Sequence, residues 1–247
     1  NNIGMSNHNF EMSIINGLCQ HKDIDLHCIS LPAVYSFPYN NKSFYTRSES
    51  YAYESAHICS IGFCNLPCIK ELWSTIALVI RILSVFAQYK ADRVDVIINT
   101  PNNCLLNAIR FANLFTKKKI TQTVIIPDIP SMVTAMDHQN PLKAFILKYL
   151  NRSSMKKVSK SDGVVLLTEA MMDFVNKPIE HIVMEGIVDV ETMDIEVKSE
   201  SHCKNIILYT GTLRRIFGVM NLVEAFHLLT DTDAELWICG AGDSEDA

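Results

Sequence analysis

The sequence of 247 residues is long enough for two domains or one large α/β domain, and with 48% hydrophobic residues it can bury a substantial core. Its net charge of -5 argues against general nucleic-acid binding, which needs a basic surface, so no nucleic-acid partner is expected. The longest apolar run, Leu72 to Ala87, contains Arg81 and is too short to span a bilayer uninterrupted, so it is expected to be a buried helix; the polar stretch Asn1 to Phe10 lacks the pattern of a secretory signal.

In chain order, Met12, Ile15, Leu18 and Cys19 recur at helical spacing within Glu11 to Cys19, and Asp25 to Leu31 alternates like a strand. A parallel α/β domain usually opens on a central strand. Residues 1–9 are therefore expected to be the tail of the first strand–helix loop, with Gly4 and His8 pointing into a cleft. A lone histidine in such a loop can equally be a surface residue. Pro32 to Leu66 is rich in Tyr, Ser and Asn and has no sustained period beyond a short strand at His57 to Phe63, which predicts a long surface excursion.

The eight cysteines are scattered, mostly among apolar neighbours, as expected of reduced thiols in a cytosolic protein. Cys59, Cys64 and Cys68 are the closest group, but they lack a matching second pair, and no metal site is predicted.

From Glu71 the alternation becomes regular. A helix through Tyr89 leads to a strand at Val94 to Asn99, which Pro101 closes; a helix through Phe115 and a strand at Thr123 to Ile126 follow. That strand ends in Pro127-Asp128-Ile129-Pro130. A carboxylate just past the end of a parallel strand lies on the ligand-binding edge of a sheet, where Asp128 could accept a hydroxyl proton or orient a substrate; the alternative is that it caps a turn.

The next helix, Leu142 to about Lys160, is expected to bury Leu142, Phe145, Ile146, Tyr149 and Leu150. Lys148, Arg152, Lys156 and Lys160 fall on the other side, a basic face suited to anionic lipid headgroups or simply solvated. A strand at Gly163 to Leu167, a helix from Thr168 and a strand at His181 to Met184 complete the first domain, 1–188. The acidic, aperiodic stretch 189–203 is the expected linker, and a second domain occupies 204–247.

That second domain starts with a β-rich run, Ile206 to Tyr209, which ends in Thr210-Gly211. Val219, Leu222, Val223, Phe226 and Leu229 then recur at helical spacing, and a second apolar run, Leu236 to Cys239, stops at Gly240-Ala241-Gly242. This is one strand–helix–strand unit of a parallel sheet with a glycine turn after each strand. Gly211 lets the backbone approach a ligand, and Arg214 and Arg215 follow closely, a combination suited to a diphosphate. A plain tight turn with solvated arginines is the alternative.

The passage Tyr209-Thr210-Gly211-Thr212-Leu213-Arg214-Arg215, with Gly218, Asn221 to Phe226 and Glu235 to Asp243, resembles the donor-domain opening of family 4 glycosyltransferases. Val124 to Asp128, Leu166 to Glu169 and Val183 to Asp189 resemble segments of the same family's acceptor domain. The resemblance implies the GT-B fold: a Rossmann-like amino-terminal domain of acceptor type, followed here by the opening β-α-β unit of a second Rossmann-like domain.

It also implies retaining transfer of a sugar from a nucleotide-sugar donor to a glycan or lipid-linked acceptor hydroxyl, in bacterial surface-polysaccharide synthesis, with no metal or other cofactor. Gly211, Thr212 and Arg214 or Arg215 would contact the donor diphosphate, Gly240 to Gly242 would lie near the nucleoside, and Asp128, Gly4 and His8 would lie on the acceptor side, Asp128 as the catalytic candidate. The implied location is cytoplasmic, with peripheral contact at the inner face of the membrane through Lys148, Arg152, Lys156 and Lys160.

The sequence departs from the family at Phe217, where Lys is common, at Pro127, where a His precedes the Asp, and in the glycine-rich first loop, reduced to Gly4. The paired glutamates that hold the donor would fall beyond Ala247, so a fragment or truncated form of such an enzyme is expected. The competing reading is a non-catalytic nucleotide- or glycan-binding remnant. A dinucleotide-dependent oxidoreductase fits poorly, since Glu245 stands where the third glycine after Gly240-Ala241-Gly242 should be.

Overall fold

The computed structural model describes residues 5–32, 34, 36–38, 43–67, 69–130, 141–175, 177–187, 205–213, 215–229 and 233–242. The chain divides into two compact units, Asn1–Thr192 and Met193–Ala247. The expected linker, Gly4 and Arg214 lie outside the described residues.

The first unit contains α1 (Met5–Cys19), β1 (Leu26–Ser30), β2 (Glu49–Tyr53), β3 (Ala56–Ser60), α2 (Lys70–Gln88), β4 (Arg93–Asn99), α3 (Asn103–Phe115), β5 (Lys119–Ile126), α4 (Pro141–Val158), β6 (Gly163–Leu166) and β7 (His181–Val183). Strands β4-β5-β6-β7 form an all-parallel sheet in sequence order, and β1-β3-β2 form a second sheet in which β1 and β3 are parallel and β2 is antiparallel to β3. Parallel neighbours need crossover connections, and α3 between β4 and β5 and α4 between β5 and β6 supply two of them. This is an α/β fold with parallel sheets, as the alternation from Glu71 predicts.

The core explains why these segments hold together. Leu78, Ile82 and Phe86 of α2 and Ala108 and Ala112 of α3 pack with Val124 and Ile126 of β5, Val164 and Leu166 of β6, and Met155 and Val158 of α4. The last residues of β5 and nearly all of β6 are buried continuously, the pattern of interior parallel strands covered on both faces. Asn102 caps α3: its side chain accepts from the Cys104 amide at 2.8 Å, satisfying one of the donors left free at a helix start.

Four expectations are corrected here. Helix α1 begins at Met5, so His8 sits exposed on a helix rather than in a loop facing a cleft; no Gly or Pro between Met5 and Asn16 interrupts the turn. The stretch at 32–66 is not only a surface excursion: it contains the hairpin β2–β3, with β3 central in its sheet and Ile58, Cys59, Ile61 and Phe63 buried.

Helix α2 is only half buried. It is long and apolar enough to cross a membrane by length and composition, yet Leu78, Ile82, Val85 and Phe86 pack inward while Leu72, Trp73, Ile76 and Ile80 face outward. Finally, α4 turns the other way from the predicted stripe. Ser154, Met155 and Val158 are its buried residues, with Leu147, Leu150 and Asn151 half-buried, whereas Phe145 (70% exposed), Ile146 and Tyr149 (69%) face out. Apart from Lys143 and Lys148, its first half carries apolar residues on several sides, so periodicity alone could not choose the inner face.

The second unit is the predicted strand–helix–strand. Strand β8 (Asn205–Thr210) pairs in parallel with β9 (Ala234–Cys239) through α5 (Val219–His227), with a 3₁₀ turn at Arg215–Phe217 before the helix. Gly218, at φ 76°, is the helix N-cap, in a left-handed conformation that a side chain would strain.

Candidate functional site

In the first unit, Asp128 is exposed between the buried residues Pro127 and Ile129, two residues past the carboxyl end of β5. That is the edge of the parallel sheet where open α/β folds bind ligands. The neighbouring strand β4 ends beside it, since Asn99 pairs with Ile125.

Two features at that strand end escaped sequence reasoning. Thr100 has φ 75°, a conformation a β-branched residue rarely adopts; its amide donates to the Ile125 carbonyl at 3.0 Å, and its carbonyl accepts from the Asn102 amide at 2.8 Å. Asn99 donates through Nδ2 to Glu11 Oε1 of α1 at 2.7 Å, while its Oδ1 is buried with no hydrogen-bond partner among the described residues. An unpaired buried carbonyl costs free energy unless something donates to it. The signal in the sequence was Asn-Thr-Pro at the end of a strand.

A cavity of this unit lies elsewhere. It has a volume of about 380 Å³ and is lined by Arg110, Asn113, Ile120, Gln122, Lys157 and Lys160, near the start of β5 rather than at the end that carries Asp128. Burial lowers the Lys157 ammonium from its usual range, and Lys157 Nζ donates to Asn103 Oδ1 at 2.5 Å. Lys148, Arg152 and Lys156 of α4 and Lys160, two residues past its end, are all exposed, and Phe145, Ile146 and Tyr149 are exposed on the same helix.

In the second unit the two glycine turns come together. The Gly211 amide donates to the Cys239 carbonyl at 3.0 Å and the Leu213 amide to the Ala241 carbonyl at 2.9 Å, so the ladder between β8 and β9 continues into the turns. The Tyr209 hydroxyl closes the first turn by donating to the Thr212 carbonyl at 3.0 Å.

This geometry also accounts for the glycines. A Cβ on Gly240 would stand 1.8 Å from the Gly211 carbonyl oxygen, and one on Gly242 would stand 2.1 Å from that of Leu213. The chain's own close packing therefore already requires glycine at both positions. Gly211 (φ 157°), Thr212 and Arg215 are exposed at the carboxyl end of β8, and the free amides of the first turn of α5 follow. What this edge offers chemically is backbone amides, a hydroxyl and a guanidinium, all groups that bind anionic oxygen.

No protein-family model matches the chain, and no curated protein matches it. Among solved structures it is similar to the apo structure of OtsA, with 10% identity and a TM-score of 0.47 over 93% of this chain and 61% of that one. It is also similar to a structure from work on bisubstrate glycomimetics of trehalose-6-phosphate synthase and glycosyl transfer with retention, with 11% identity and a TM-score of 0.47 over 95% of this chain and 62% of that one. The chain thus spans about three fifths of the length of these solved chains.

Proposed function

We propose that this chain belongs to a GT-B glycosyltransferase of family 4 type, which moves a sugar with retention from a nucleotide-sugar donor to an acceptor hydroxyl in surface-glycan synthesis. The observation that carries the reading is the β8–α5–β9 unit. Its parallel pairing, the Gly211-Thr212 turn and the exposed Arg215 stand in the order of the donor-domain motif that the sequence resembles.

In this role the exposed Gly211-Thr212 turn, the Thr212 hydroxyl, the free amides that open α5 and the Arg215 guanidinium, with Arg214 beside it in sequence, hold the diphosphate. They stabilise the negative charge that grows on the departing nucleoside diphosphate in the transition state. Asp128, at the sheet edge of the first unit, serves the acceptor hydroxyl, and no metal takes part. The outward face of α4 meets the cytoplasmic leaflet: Phe145, Ile146 and Tyr149 enter the interface, and Lys148, Arg152 and Lys156 attract anionic headgroups.

Calorimetric titration of uridine and guanosine diphosphate sugars into the chain, with transfer or hydrolysis followed on the same samples, tests this. Binding of one donor class is expected, weakened about 10-fold in Arg215→Ala, the loss of one charge-assisted hydrogen bond. Binding without turnover would instead support the nucleotide-binding remnant, and no binding of either class refutes both readings.

A further inference from the structure

His27 of β1 and His57 of β3 occupy the same register position on parallel neighbours, so both imidazoles leave the same face of that sheet. Their ring centroids lie 4.9 Å apart, stacked at 27°. Asp25 precedes His27 by two residues, and its Oδ1 lies 3.4 Å from His27 Nε2. The donor atoms of all three side chains lie within 4.8 Å of one another.

Zinc held by ligands at roughly 2.1 Å in a tetrahedral site needs donor atoms about 3.4 Å apart. The Asp25–His27 pair already has that separation. His57, which is exposed and free to change rotamer, has at most about 1.4 Å to close.

The surroundings complete the comparison with a metal centre. Tyr89, just past α2, places its hydroxyl 2.5 Å from His27 Nε2 and beside the Asp25 carboxylate. An ion on His27 Nε2 displaces the phenol from that nitrogen, and the hydroxyl turns to the Asp25 carboxylate and orients it, as partners of metal-bound carboxylates do. A cavity of about 290 Å³, lined by Ser50, Tyr51, Gln88 and Arg81 as well as the two histidines and Tyr89, leaves room for a fourth ligand such as water.

Arg81 opposes a cation there and Asp25 offsets it. The net field therefore does not favour a hard ion held by charge, and the two imidazoles must supply the affinity. We propose that Asp25, His27 and His57 form a zinc site. It lies at the amino end of the β1–β3 pair, the opposite end from that at which parallel sheets bind nucleotides, so its role is structural: it pins β1, an edge strand among the described residues, to β3.

The test uses the full chain, stripped with chelator under reducing conditions and then titrated with zinc, magnesium, calcium or inorganic phosphate. One equivalent of zinc is expected to bind and to raise the thermal midpoint by about 5 °C when in large excess over its Kd. Magnesium, calcium and phosphate are expected to do nothing. His57→Gln, at an exposed position, should leave the metal-free midpoint unchanged and abolish the zinc effect, while Tyr89→Phe should weaken zinc about 10-fold. Cobalt in place of zinc should show no thiolate charge-transfer band. Such a band, an undiminished zinc effect in His57→Gln, stabilisation by phosphate instead, or no stoichiometric binding each overturns the proposal.

Discussion

Replacement of Gly240 by alanine probes the packing that makes the second unit a unit. The added methyl would start 1.8 Å from the Gly211 carbonyl oxygen and 3.0 Å from its carbon, both backbone atoms that cannot rotate away. Reaching ordinary contact at 3.4 Å requires the two turns to separate by about 1.6 Å. That displacement breaks the Gly211–Cys239 and Leu213–Ala241 hydrogen bonds, now 3.0 and 2.9 Å long. At about 1 kcal/mol net for each, with lost packing against Leu213 in addition, Gly240→Ala is expected to cost the unit about 2–3 kcal/mol.

The two tryptophans, Trp73 and Trp237, fall one in each unit. In a Trp73→Phe background, fluorescence during thermal or urea unfolding follows β9 alone, and a midpoint drop of about 10 °C or more is expected for so small a unit. Gly218→Ala is the control. Its Cβ meets nothing within 4 Å, so only the strain of φ 76° remains, about 1 kcal/mol. A Gly240→Ala midpoint equal to that of the parent, or a smaller effect than that of Gly218→Ala, refutes the reasoning.

The pair His181–Glu169 makes a pH-dependent contribution. The hydrogen bond from His181 Nε2 to Glu169 Oε1, 3.0 Å long, raises the imidazole above its ordinary 6.5, so this stabilisation is complete below pH 6.5 and fades as pH climbs through the raised value. NMR titration should place the His181 midpoint above 6.5, and Glu169→Gln should lower it; an unchanged midpoint in the variant removes Glu169 as the cause. For α4, co-sedimentation with anionic vesicles is expected to fall about 30-fold in Lys148→Gln/Arg152→Gln and to weaken with salt, whereas equal binding to zwitterionic vesicles contradicts an electrostatic contact.

Much of this chain is legible without coordinates. Most elements from α2 to β9 appear near their observed bounds because helical and strand periods differ, and because Pro101, Gly211 and Gly240 punctuate them at strand ends; β5, however, starts at Lys119 rather than Thr123, and the helix expected from Thr168 is a 3₁₀ turn, Glu169–Phe174. The edge position of Asp128 follows directly from that order. Less legible were α1, whose polar first turns carry no apolar period, and β2, whose residues Glu49 to Tyr53 are mostly exposed and hide no alternation.

Local pattern therefore determined the order and type of most elements, since each depends on neighbours within a few residues, and the strand–helix–strand order in turn implied the parallel pairing of the last two strands. Tertiary packing alone decided which side of α4 faces inward, because apolar residues lie on several sides of its first half and such a helix turns toward whatever surface fits it. It also brought His27 and His57 together across a register that joins residues thirty apart, and it showed that Gly240 and Gly242 are held to glycine by carbonyls of the opposite turn. Contacts between distant segments leave no period in the chain, and for that reason only the folded arrangement reveals them.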